Sequence, residues 1–130
     1  MANDPNSMRT TVRQVRYLGS AKSGTHEAWH MRLTSLALVP LTIAFVWIVL
    51  SLVGKDYNTV VKALGSPAIA ILMLLFLLTS VYHMMLGMRT IIEDYIHGKH
   101  AKTFSLAGNT FFSICVGLAC VYAVLRLSFT

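Results

Sequence analysis

Acidic side chains are scarce in this sequence: five Asp and Glu in 130 residues, against eleven Lys and Arg, with charged residues of both signs making up only 12%. An ordinary soluble domain carries about twice that share, so a water-exposed globule is excluded. Cysteine is almost missing. Cys115 and Cys120 lie five apart in one apolar run, on different faces of a helix, and match no zinc or redox motif. There is no glycine-rich dinucleotide fingerprint and no cysteine cluster for iron and sulfur. The apolar runs lack alternation of period two, which argues against barrel strands. No internal repeat or low-complexity tract is present.

What remains is apolar. Hydrophobic residues make up 55% of the chain and the mean hydropathy is +0.63, which places it in a lipid bilayer. The net charge of +6 then marks cytoplasmic flanks and anionic headgroups rather than nucleic acid. Uncharged stretches cover 33–54, 63–88 and 103–125, that is 22, 26 and 23 residues. About 20 apolar residues cross a hydrocarbon core of roughly 30 Å, whereas the apolar part of a signal peptide is about 7 to 15 residues, so the first run is not a cleaved signal. Backbone groups in lipid must be bonded within their own segment, and an all-α membrane protein with three transmembrane helices follows.

Local punctuation refines the ends. Gly54 closes the first helix, and Ser66 with Pro67 reads as N-cap and first helical residue of the second. No breaker follows Arg89 until Gly98, so the second helix extends past the membrane toward residue 97 before Lys99 to Lys102 turn it back. The spans are accordingly about 33–54, 67–88 with an extension to 97, and 104–125, within a membrane domain 25–130 that Thr25 N-caps and Glu27 favours in its first turn. Residues 1–24 form a basic arm in which Arg9, Arg13 and Arg16 fall at helical spacing. The arm and the second loop together carry eight Lys and Arg, the opposite side three, which puts the N-terminus in the cytoplasm.

Within the spans one side chain readily ionises, His83. An imidazole at membrane depth needs a partner, and it is both a common metal ligand and a haem axial ligand; a hydrogen bond to a neighbouring helix is the plain alternative. Thr79, Ser80 and Gly87 share its face and make a small, partly polar stripe, suited to a neighbouring helix or a flat macrocycle. Glu93 and Asp94 stand near the C-terminus of the same helix, where its dipole disfavours them. An Arg89–Glu93 pair accounts for Glu93 but not for Asp94 beside Tyr95. Eleven residues advance a helix by about 1100°, three turns plus roughly 20°, so Asp94 returns to the face of His83 about 16 Å further along. Tyr95 could equally be an interfacial anchor.

The pattern His83-x3-Gly87-x6-Asp94-Tyr95 resembles the small hydrophobic membrane anchor subunit of succinate dehydrogenase, respiratory complex II. His26-x5-Arg32 at the mouth of the first span, three spans and a short basic arm agree with it. The resemblance implies that His83 is an axial ligand of haem b iron, that His26 and Arg32 lie near the haem propionates, with His30 competing for the role of His26, and that Tyr95, with Asp94, serves ubiquinone. It implies half of a two-subunit haem-binding helical bundle in a bacterial inner membrane. The partners would be a cytochrome b large anchor subunit, an iron-sulfur subunit and a flavoprotein subunit. No second histidine exists at membrane depth, so the other axial ligand must come from another chain, and succinate chemistry cannot occur on this one. Alternatives are the anchor of a quinol:fumarate reductase and a small proton-conducting transporter subunit using His83 and Asp94.

Overall fold

The structure, a computed structural model, describes residues 23–129; the arginines of the basic arm lie outside these. The described residues form four helices and no strand: α1 (Ser23–Leu52), α2 (Tyr57–Leu64), α3 (Pro67–Tyr95) and α4 (Lys99–Phe129). The three long helices have 30, 29 and 31 residues. At 1.5 Å per residue each measures about 45 Å, half as long again as the hydrocarbon core. The protein is a multi-pass membrane protein whose helices reach beyond the lipid tails.

Helix α3 is the centre of the bundle, packed against α1 on one side and α4 on the other. Its ends follow from local chemistry. Ser66 is the N-cap and Pro67 the first helical residue, although the Ser66 hydroxyl donates back to the Ala63 carbonyl (2.7 Å) instead of accepting from α3. At the other end Ile96 adopts extended backbone, so the helix stops at Tyr95, two residues short of the limit read from the sequence. Lys102 Nζ donates to the carbonyl of Glu93 (2.9 Å), capping an orphan acceptor of that last turn from the next helix. Residues Lys99 to Lys102 are not a separate turn but the first turn of α4, whose Lys102 N–H bonds Gly98 O at 2.8 Å.

Helix α1 is already helical at Ser23, so Thr25 lies inside it, and Pro40 lies within it without ending it. Beyond Leu52 the chain leaves the helix through Gly54, whose φ of 77° a side chain would oppose. The link to α3 contains α2, which the sequence reading did not anticipate. Asp56 caps it by accepting from the backbone N–H and hydroxyl of Thr59, and these bonds hold its carboxyl below the usual range. Past α2 the backbone at Gly65 presses on the C-terminal turn of α4: a Cβ there would sit 2.6 Å from the Leu127 carbonyl oxygen. The short helix therefore roofs that end of the bundle.

The buried interior is thin. Ala70, Leu86 and Ile92 of α3, Val124 of α4, and the polar Thr34 and Ser113 are buried. A Phe45–Phe76 stack with ring centres 4.5 Å apart joins α1 to α3 deeper in the membrane. Large apolar side chains such as Leu36, Trp47, Phe111 and Leu118 face outward on α1 and α4, as lipid and a protein neighbour in the bilayer require.

Candidate functional site

His83 stands about four turns into α3, partly exposed, on the side that meets α1. Its Nδ1 lies 2.8 Å from the hydroxyl of Thr34, which is only 8% exposed. That hydroxyl also lies 2.8 Å from the carbonyl of His30 and 3.0 Å from that of Met31, the usual reach of a helical threonine to the preceding turn. Among the described residues Nε2 of His83 has no hydrogen-bond partner. Of the stripe read beside His83, Gly87 is met by a helix of the same chain, a Cβ there lying 3.9 Å from Met31 Cε, while the Ser80 hydroxyl donates to the Phe76 carbonyl of its own helix.

A second cluster continues this face of α1 toward its N-terminus. His26 and His30, one turn apart, bring their rings to 4.4 Å between centres, with their Nε2 atoms 3.4 Å apart. His30 also meets Tyr82 edge-on at 6.1 Å. Along this face Thr34 meets His83 and His30 meets Tyr82, with His26 against His30 one turn further out. Arg32 is exposed, and two residues from His30 it lies about 200° around the helix. The structure brings His30, not Arg32, to His26.

Arg89 bridges two helices. Its Nη2 is 2.8 Å from Glu27 of α1, and its Nε is 2.9 Å from Glu93 one turn along α3. The Glu93 half follows from i,i+4 spacing; the Glu27 half does not, because it is tertiary. All three side chains are between a third and a half exposed, which limits each bridge to roughly 0–1 kcal/mol. Asp94 and Tyr95 occupy the last turn of α3 and are exposed, Tyr95 at 78%. On α4, Asn109 donates to the carbonyl of Met85 (2.9 Å), a polar tie between spans that the sequence reading passed over.

Among the described residues no group of three or more His, Cys, Asp or Glu side chains is placed to hold a metal ion. An imidazole fixed through Nδ1 and open at Nε2 has the donor chemistry of a single histidine ligand to a porphyrin iron. Residues 6–125 match the model of the family described as "Succinate dehydrogenase/Fumarate reductase transmembrane subunit". The chain is 33% identical over 116 residues to the succinate dehydrogenase hydrophobic membrane anchor subunit of Rickettsia bellii (strain RML369-C), covering 89% of this chain and 93% of that one. To the protein of the same description from Paracoccus denitrificans it is 32% identical over 110 residues, 85% and 84% of the two chains.

Proposed function

This chain belongs to the succinate dehydrogenase/fumarate reductase transmembrane subunit family, and from that premise we propose that it anchors a succinate:ubiquinone oxidoreductase in the bacterial inner membrane. It would supply one ligand to the iron of haem b and part of the site that reduces ubiquinone. The observation that carries the reading is His83, an imidazole at membrane depth with Nδ1 held by Thr34 and Nε2 left to act as a ligand. Haem b, when bound, supplies a one-electron redox centre beside the quinone site.

This chain's residues then divide the work. His83 would hold the haem iron through Nε2, with a second protein ligand from the cytochrome b large anchor subunit. His26 and Arg32 at the mouth of α1 pair the propionates, joined by His30, which the structure places against His26. Tyr95 donates its hydroxyl proton in a hydrogen bond to a quinone carbonyl, an oxygen that gains negative charge on reduction, so a fixed donor favours the reduced form. Asp94 beside it passes protons from cytoplasmic water. The Arg89 bridges and the Lys102 cap hold the last turn of α3 against both neighbours, fixing the height at which Tyr95 emerges. Oxidation of succinate and delivery of electrons belong to the flavoprotein and iron-sulfur subunits, docked on the cytoplasmic side with the N-terminus.

The family also includes fumarate reductase subunits; relatives described as succinate dehydrogenase favour the oxidative direction. A reduced-minus-oxidised optical spectrum of the complex purified with its partner subunits tests the reading. A b-type haem spectrum is expected from wild type and its loss from His83→Ala. An unchanged haem spectrum in that variant would overturn the assignment.

A further inference from the structure

We propose that Thr34 is a positioning residue for the haem ligand, fixing His83 as its Nδ1–H tautomer and directing the lone pair of Nε2 at the iron; this rests on the function proposed above. The argument is a proton count. Three atoms lie within 3.0 Å of the Thr34 hydroxyl oxygen: the His30 carbonyl, the Met31 carbonyl and His83 Nδ1. A hydroxyl has one proton to give and lone pairs with which to accept, and the two carbonyls can only accept. Were the proton given to Nδ1, both carbonyl oxygens would face the hydroxyl oxygen at 2.8 to 3.0 Å with no hydrogen between them. Given instead to the carbonyls, it leaves the oxygen to accept from Nδ1–H. Nδ1 of His83 then carries a proton, and in the neutral ring the lone pair stands on Nε2.

The surroundings make this arrangement rigid. Bonding to the preceding turn fixes the rotamer of Thr34, so the acceptor stands at one place and sets the plane of the ring. At 8% exposure no bulk water substitutes for the hydroxyl, and an imidazole N–H without a partner at this depth is costly. Partial withdrawal of the Nδ1 proton toward Oγ1 also raises the electron density at Nε2, which stabilises ferric over ferrous iron. A merely structural threonine would affect assembly but would leave the electronic state of the iron alone.

The test uses the assembled complex carrying Thr34→Val, Thr34→Ser or His83→Ala, and reads haem content, the midpoint potential of the haem and the electron paramagnetic resonance spectrum of the ferric state. Thr34→Val is expected to weaken haem retention by about 10- to 100-fold, the range for losing an outer partner of a ligand. It should also raise the midpoint potential and shift the low-spin ferric signal, while Thr34→Ser keeps wild-type values. Haem-loaded Thr34→Val with wild-type potential and signal would overturn the role of Thr34, even with His83→Ala devoid of haem. His83→Ala with an unaltered haem spectrum would instead remove the ligand reading itself. Should the valine variant fail to assemble, Thr34→Ala carries the same expectations.

Discussion

Tyr95 closes α3 with its ring largely in the open, so its hydroxyl contributes little to folding and its removal reads out chemistry alone. Tyr95→Phe should keep the haem and the assembled complex but lower succinate-driven ubiquinone reduction by on the order of 10²-fold, the scale for losing one donor to a developing negative oxygen. Electron transfer from succinate to a soluble dye should be unaffected. Wild-type turnover with ubiquinone would exclude this phenol from the site. Candidates of this kind stand out in the sequence because an ionisable group inside or just past an apolar run breaks a rule that everything around it obeys. Thr34 breaks none. It is a neutral hydroxyl among leucines and alanines, and its partner is 49 positions away, so only the crossing of α1 over α3 shows its use. The same holds for Glu27, which looked like a helix-start carboxylate and proves to be a tertiary partner of Arg89, and for Asn109, whose amide reaches another span.

At the level of elements, the boundaries that local chemistry writes were readable: Ser66 with Pro67, and Gly54 with its positive φ. Those set by charge were readable only in part, because charges mark where hydrocarbon ends whereas a helix continues through the headgroups. The continuation past Arg89 was readable from the missing breaker, but the start of α4 at Lys99 was not. Helix α2 escaped notice since eight residues between Asp56 and Gly65 are too few for a periodic signal; the Asp56 to Thr59 spacing was the available cue. Its placement depends on Gly65. Gly65→Ala would drive a methyl group into the Leu127 carbonyl, and since both contacting groups are backbone neither can swing aside. A cost of about 1 to 3 kcal/mol is expected, seen as a lower thermal unfolding midpoint of the purified complex with the haem spectrum unchanged at low temperature. An unaltered midpoint would mean that α2 does not sit this tightly on α4.

Taken whole, the chain is three spans with a scant interior and apolar flanks, and its asymmetry lies along the membrane normal. Eight basic residues lie on the side of the arm and the 89–102 segment, three on the side of α2 and the C-terminus. A reporter enzyme that works only outside the cytoplasm should therefore be active when fused after Thr130 and inactive when fused before Met1. The opposite pattern would invert the orientation and move Tyr95 away from the compartment where succinate is oxidised.

The α2 end of the bundle is also its least ionisable end on two of the three spans. Between Lys62 and His83 the chain contains only apolar or hydroxyl side chains apart from Tyr82, and residues 33–52 of α1 contain no ionisable group. On these two spans no ionisable side chain lies between Tyr82 and the α2 end, whereas α4 carries Tyr122 there. Were a quinone reduced at the Tyr95 end, α1 and α3 would offer its protons no relay of ionisable side chains toward the α2 end, and uptake from the Tyr95 side would be the short route.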